Sequence, residues 1–577
     1  MTKKLDGAPR EEISYPIGVR DLLLEEAIRL ARSARGRLAA ALPVVAIATL
    51  LAGAADVSAG SAPGTVTTGC SLTMRCQGDI GWPSTEGPVT GGRYSPLAQI
   101  NVHNVRHLAK AFAFTTKVVG SENYPVVIGD TAYVTTQFGN VFAFNATTGS
   151  QLWSYSPTPT GALATHGYAN RGVAVGDGNV YVLNGASDLV ALNAATGTVK
   201  WSVATVPDAV KRGYYESTAP LFYDGVVYVG SSGGDSGVRG YEAAFSAKTG
   251  AMLWRFWTVP ASGTGWTSAP GNHGGGAVWM VPTLDPSLGL MFISVGNPSP
   301  DFYANDRLGL NHWTDSVVAL RLTTGKFVWG YDETPHDMWD YDTVAPVTLF
   351  PAQGLPALGS GNKGGIWYEL DAKTGALITQ PQAFVYQNHS TPPTSGPKAI
   401  EWPGYNDGAE WSAAAYDPQT GLAYEEGISG PSLEKAYPAV VAHHKVGQVD
   451  VATSFFPPPK NAKVTGTLTA FSADNGTVVW QKTEPVGLLG GATATAGGVL
   501  FVQISGDSMI EALNARTGKV LWRARVSGPV DSGMSVYSVG GKEYLMVPVG
   551  GSGLTAHNTY GGPDHATNAT FVVYTLK

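Results

Sequence analysis

One short pattern recurs eight times along the chain, and few folds can accommodate it. An apolar strand runs into Asn, Asp or an equivalent, then "xTG" or a near variant, with an aromatic residue four positions after the glycine. Clear copies are "FAFNATTGSQLW" ending at Trp153, "VALNAATGTVKW" at Trp201, "AAFSAKTGAMLW" at Trp254, "VALRLTTGKFVW" at Trp329, "TAFSADNGTVVW" at Trp480 and "EALNARTGKVLW" at Trp522. "YELDAKTGALI" and "AYDPQTGLAY" are degenerate copies. Each copy reads as a hairpin whose glycine supplies the positive-φ turn position, and each tryptophan offers a large apolar face and one N–H for docking on a neighbouring unit. Repeats of this length signal radial closure, which leaves few open sheet edges. The expected fold is all-β: an eight-bladed β-propeller with W-shaped four-stranded blades and tryptophan-docking-type repeats. With 73 glycines, 37 prolines and 10% aromatic residues, composition agrees, and one closed unit can absorb most of the 577 residues.

Ahead of the repeats stands "RLARSARGRLAAALPVVAIATLLAGAADVSAG". A basic segment, an apolar run from Leu38 to Ala55 and small residues ending at Ala59 have the layout of an export signal, with an N-terminal membrane anchor as the competing reading. Residues 1–59 are therefore set apart, 60–80 read as a linker, and 81–577 as the propeller. Export points to the periplasm. The only cysteines, Cys70 and Cys76, lie in the linker, where a local disulfide is expected. No Cys-x-x-Cys-His occurs, so the sequence offers no site for covalent haem. A net charge of −7 with no basic stripe after the N-terminal region argues against nucleic acid as a partner.

Insertions in a propeller fall on loops, and the longest interval between copies runs from Trp254 to Trp329. Just beyond it lies "HDMWDYDTV", residues 336 to 344, with three aspartates among bulky rings in a chain only 14% charged. Such a cluster is costly to desolvate unless a cation compensates it or a reaction uses it. Taken singly, these and the following residues have ordinary explanations: an acidic loop, a core tryptophan, a turn asparagine, a surface ion pair.

Together and in order they resemble the quinoprotein alcohol dehydrogenases. The likeness runs from "WPSTEGPVTGGRYSPLAQINVHNVRHLAKAF" (82–112) to "SGMSVYSVGGKEYLMVPVGGSG" (532–553). Those enzymes are eight-bladed propellers holding pyrroloquinoline quinone (PQQ) and a metal ion. "SSGGDSGVRG" is similar to the family's "SSGAExGVRG", which implies Asp235 as a metal ligand and Ser232, Gly233 and Gly234 beside the cofactor. "SVGNPSP" is similar to "GTGNPxPW" and implies Asn297 as a metal ligand; "HDMWDYD" implies Asp340 as catalytic base and ligand. "NRGVAV" implies Arg171, "STAP" Ser217 and "GGGAVW" Trp279 as cofactor contacts, the last as a stacking platform. Glu122, Lys363 and Glu410 match further cofactor positions. Arg and Lys suit the oxyanions of an acidic tricyclic cofactor, aromatic faces suit its rings, and carboxylate and amide oxygens suit a hard cation.

Several positions depart from the family. Thr165-His166 stands in the region where adjacent cysteines often precede "NRG". Asp235 is one methylene shorter than the usual glutamate, Glu410 replaces a frequent asparagine, and Leu489 replaces a tryptophan near the substrate entrance, which suggests a wider or differently shaped pocket. Asp342 matches an additional aspartate found in the lanthanide-using branch, and a trivalent ion gains more from it than a divalent one. Both one Ca²⁺ and one lanthanide(III) ion stay open as the metal.

The resemblance implies oxidation of a small-molecule alcohol to an aldehyde or ketone, with PQQ as acceptor and a separate cytochrome c or other periplasmic protein taking the electrons. Two other readings compete: a non-catalytic propeller acting as a binding or assembly scaffold, and a hydrolase using axial acids. The scaffold has no need for the metal and base residues together, and the hydrolase leaves Trp279, Arg171 and Lys363 unexplained.

Overall fold

A computed structural model describes residues 79–157, 169–260, 265–266, 274–305, 307–388, 392–394, 396, 398–437, 451–457, 459–551 and 566–577, all within the unit Val66–Lys577. The export segment, Cys70, Cys76 and Thr165-His166 lie outside these residues. At the end of the expected linker, Asp79 accepts hydrogen bonds from the Gly540 and Gly541 amides at 2.8 and 2.9 Å, and the Ile80 amide donates to Ser538 Oγ at 2.7 Å.

The chain is all-β. Among the described residues the α-helical content is one turn, Ala209–Arg212, and no helix is long and apolar enough to cross a membrane. Most of the strands form antiparallel meanders of four, such as Val126–Ile128, Thr131–Thr136, Asn140–Asn145 and Gln151–Tyr155. This is the β-propeller fold. In the sheet Leu108–Val119, Asn568–Leu576, Lys542–Val549 and Ser535–Val539, a strand from the start of the propeller pairs antiparallel with the last strand of the chain. That pairing ties the two ends of the propeller together without a covalent link.

The repeated glycines have two jobs, only one of which is local. Gly197, Gly250, Gly325 and Gly375 have φ of 71°, 73°, 64° and 73°, as the hairpin requires. Each also lies against the tryptophan of the preceding sheet: a Cβ added there would sit 2.5 Å from Trp153, 2.9 Å from Trp201, 2.3 Å from Trp254 and 2.5 Å from Trp329. Trp153 Nε1 donates to the Ala194 carbonyl at 2.9 Å and Trp329 Nε1 to that of Ala372 at 3.1 Å, in the same turns. Docking of one repeat on the next is thus an indole laid on a bare backbone. In the degenerate copy, Thr379 holds the aromatic position, and its Oγ1 lies 2.5 Å from a Cβ built on Gly476.

The copies do not map one to a sheet. "AYDPQTGLAY" joins Ala415–Asp417 to Leu422–Ser429, the first and second strands of the sheet whose last hairpin is "TAFSADNGTVVW". The sheet that pairs the chain's two ends carries no copy. Asp417 Oδ1 accepts from the Gln419 amide at 2.8 Å just as Asn145 Oδ1 accepts from Thr147 at 3.0 Å, so turn chemistry reads alike whichever strands it joins.

Candidate active site

The functional candidates lie at one end of the sheets, for a topological reason. In an antiparallel meander the start of the first strand and the end of the second lie at the same edge, whereas the turn between the third and fourth lies opposite. Arg171, Ser217, Trp279, Asp340, Asp342 and Glu410 each precede a first strand. Ser232, Gly233, Gly234, Asp235, Asn297 and Lys363 each follow a second one. The Thr-Gly turns therefore hold the sheets together at one end and leave the other to chemistry.

The acids gather around one ammonium. Lys363 Nζ is 3.2 Å from Asp340 Oδ2, 3.6 Å from Asp342 Oδ2 and 4.0 Å from Glu410 Oε1. Asp342 is buried, not an exposed loop acid; it accepts from the Asn297 amide at 2.7 Å and from Trp279 Nε1 at 3.1 Å. Those two bonds bring the Trp279, Asn297 and Asp342 loops together. Burial pulls the Lys363 ammonium down, but the fields of Asp340, Asp342, Glu410 and Asp235 outweigh it and hold it well above its ordinary value. Burial raises Asp340 well above the usual carboxylate range; Lys363 opposes that shift while Asp342, Asp301 and Asp235 add to it. Burial likewise raises Glu410 to about 7. Among the described residues no three acidic, histidine or cysteine side chains already close around one point. The donor set nonetheless suits a cation: several buried carboxylates face one lysine, and Asp301 Oδ1 is buried without a hydrogen-bond partner.

Beside the acids is a wall of opposite character. The Arg171 guanidinium lies over Trp279 at 4.7 Å and over Trp411 at 4.9 Å, and its Nη2 is 2.8 Å from Glu122 Oε2. Arg171 Nε is buried with no acceptor, so the wall offers an unused cationic donor of the kind a cofactor oxyanion requires. Ser217 and Ser232 meet through their hydroxyls at 2.9 Å. Gly233, at φ 98°, must lack a side chain because a Cβ would fall 2.3 Å from the Gly213 carbonyl oxygen. The Asp235 turn, Gly234–Ser236, follows directly; Gly234 and Ser236 are buried and Asp235 is half-buried.

Sequence reasoning missed four contributors. Trp411, next to Glu410, completes the aromatic wall. Glu216, next to Ser217, accepts from the Ser232 amide at 3.1 Å and from the Tyr241 hydroxyl at 3.0 Å. Asp337 accepts from the amides of Trp339, Asp340 and Tyr341 at 3.1, 2.9 and 3.2 Å, which holds Asp340 in its left-handed conformation, φ 66°. Its carboxylate is thus committed to the loop. Asp301, just past "SVGNPSP", is the fourth. Adjacency to a recognised motif was the available signal in each case. Leu489 does not line an open entrance: it is fully buried in a cluster with Tyr124, Trp411 and Val344. A surface cleft of about 470 Å³ lined by Lys110, Arg525 and Tyr574 shares no residue with this site.

Comparison with known proteins identifies the family. Residues 82–383 match the family described as glucose/ethanol/alcohol dehydrogenase, beta-propeller domain, and residues 464–562 match one described as outer membrane protein assembly factor BamB. The quinohemoprotein alcohol dehydrogenase ADH-IIG of Pseudomonas putida is 30% identical over 83% of this chain and 73% of its own length. The dehydrogenase subunit of the alcohol dehydrogenase (quinone) of Gluconacetobacter polyoxogenes is 31% identical over 80% and 70%. Among solved structures, the quinohemoprotein alcohol dehydrogenase from Comamonas testosteroni superposes with a TM-score of 0.78 at 28% identity, over 86% of this chain and 80% of that one. A europium-containing methanol dehydrogenase gives 0.78 at 26% identity, over 86% and 98%. The chain belongs to the PQQ-dependent quinoprotein alcohol dehydrogenases.

Proposed function

We propose that this chain is a periplasmic, eight-bladed quinoprotein dehydrogenase that oxidises a small-molecule alcohol to an aldehyde or ketone, with PQQ as acceptor and one Ca²⁺ or lanthanide(III) ion. The observation that carries the reading is the meeting of buried acids around Lys363 with the Arg171–Trp279–Trp411 wall. Asp235, Asn297, Asp340 and Asp342 would hold the ion; Glu122, Arg171, Ser217, Ser232, Gly233, Gly234, Trp279, Lys363 and Glu410 would hold the quinone. When bound, PQQ supplies the two-electron acceptor and the cation the Lewis acid.

The protein's own part is orientation and proton transfer. Arg171 and Lys363 fix oxyanions by charge, while Trp279 and Trp411 present flat apolar surface. Asp340 accepts the alcohol hydroxyl proton. Its side chain keeps 15% of its exposure, so substrate can reach it, and the lysine together with a bound cation favours its ionised form. In this reading the electrons pass to a separate cytochrome c or other periplasmic acceptor. The basic-apolar leader supports export.

The test is dye-linked alcohol oxidation by purified protein, expected only when PQQ and Ca²⁺ or La³⁺ are both supplied. Activity with NAD and no quinone overturns the proposal. Asp340→Asn should keep PQQ and lose roughly 10²–10⁴-fold in turnover. Turnover within about twofold of the parent would move the base elsewhere.

A further inference from the structure

Asp301 is one of the buried acids near the site, and it lies four residues after Asn297. Only 2% exposed, it leaves Oδ1 without a hydrogen-bond partner. The nearby guanidinium, Arg307, does not supply one. Arg307 Nε donates to the Pro300 carbonyl at 2.7 Å, Nη1 to Asn311 Oδ1 at 2.8 Å, and Nη2 to the Asp301 carbonyl at 2.7 Å and to that of Asp337. Its hydrogen bonds go to main chain and amide, and none to the Asp301 carboxylate. Lys363 is already shared by Asp340 and Asp342.

The backbone explains why Asp301 stands where it does. Gly274–Gly275 pairs with Pro298–Ser299, the Gly276 amide donates to the Asn297 carbonyl at 2.7 Å, and the Gly275 amide to Val238 at 2.8 Å. These bonds stack the loop after Asp235 on the one that carries Asn297 and, four residues on, Asp301. The Asn297 amide in turn binds Asp342. Burial raises the Asp301 carboxyl well above its usual range, and the charges that add most to this are Asp235 and Asp342. Four carboxylates, those of Asp235, Asp301, Asp340 and Asp342, thus share one neighbourhood with one ammonium. A buried carboxylate oxygen with no hydrogen-bond partner, such as Asp301 Oδ1, is expensive unless a cation meets it.

We propose that Asp301 is a further acid of the cation site, turned to the ion that Asp235, Asn297, Asp340 and Asp342 hold, and that its charge favours a trivalent over a divalent ion. This rests on the cation site proposed above. A cation of charge +3 gains more from each added carboxylate than one of +2. In the motif "GTGNPxPW" the corresponding position is a tryptophan, so this chain exchanges a ring for a charge.

The experiment is direct titration of the full chain with Tb³⁺, read by tryptophan-sensitised luminescence, with Ca²⁺ competing, on the parent and Asp301→Asn. Thermal unfolding without metal is measured alongside. The variant should bind Tb³⁺ about 10–100-fold more weakly, with a smaller loss for Ca²⁺. Without metal it should unfold at the parent's temperature or above it, because the amide removes a buried charge. Unchanged Tb³⁺ affinity, equal losses for both ions, or lower metal-free stability with unchanged binding each overturns the role of Asp301 alone. A parent that binds neither ion overturns the cation site and this proposal with it.

Discussion

Replacing Glu216 by glutamine should remove one large source of pH dependence from the protein's stability. Glu216 lies in the core beneath the Ser217–Ser232 pair, and burial raises its carboxyl from an ordinary value of 4.5 to about 8, against the opposing hydrogen bonds of Tyr241, Ser232 and Thr205. The folded state therefore prefers the neutral acid. Its contribution is fully present below about pH 4.5, declines as the pH rises from there, and is lost once the pH passes about 8. At about 1.4 kcal/mol per pH unit, that interval amounts to roughly 5 kcal/mol, an upper bound because water penetration lessens the penalty. Glutamine matches the neutral acid: its oxygen can accept from the Ser232 amide, and its NH₂ can donate to the Tyr241 hydroxyl oxygen. The assay is denaturant unfolding followed by tryptophan fluorescence at pH 5 and pH 9 for parent and variant. The stability difference, variant minus parent, should shift in favour of the variant by several kcal/mol between the two pH values. Parallel pH profiles would refute the argument, since they would mean that Glu216 titrates alike in folded and unfolded chains.

Two further outcomes follow from the same structure. Gly325→Ala places a methyl 2.3 Å from the Trp254 ring at φ 64°, so it should cost about 1–2 kcal/mol for the backbone and about 1–3 kcal/mol for overpacking, whereas Gly354→Ala at φ 77°, with nothing within 4 Å, should cost the backbone share alone; melting temperatures of the two variants decide it. Asp342→Ala should weaken La³⁺-supported turnover far more than Ca²⁺-supported turnover, with Asp342→Asn changing in the same direction but less. Equal losses with both ions would confine Asp342 to its bonds with Asn297 and Trp279.

What the sequence determined by itself was whatever depends on neighbours along the chain. A Thr-Gly hairpin closes on its own hydrogen bonds and on a positive φ at glycine, so the all-β class and the repeat were legible. The motifs "NRG", "GGGAVW", "SVGNP" and "HDMWDYD" are contiguous, so Arg171, Trp279, Asn297 and Asp340 could be named. Tertiary structure decided which strands each hairpin joins, because "AYDPQTGLAY" folds its turn with the same local bonds as the others but sits elsewhere in its sheet. It also decided the pairing of Leu108–Val119 with Asn568–Leu576 at opposite ends of the propeller. Charge is the clearest case. Asp301, Glu216 and Asp337 are ordinary acids in the sequence. What separates them is burial and the groups that the fold brings against them from elsewhere in the chain: Asp235 and Asp342 on Asp301, Tyr241 and Ser232 on Glu216, and Arg307 on Asp337. A carboxylate's energy depends on the dielectric and charges around it in space, and no local pattern encodes those.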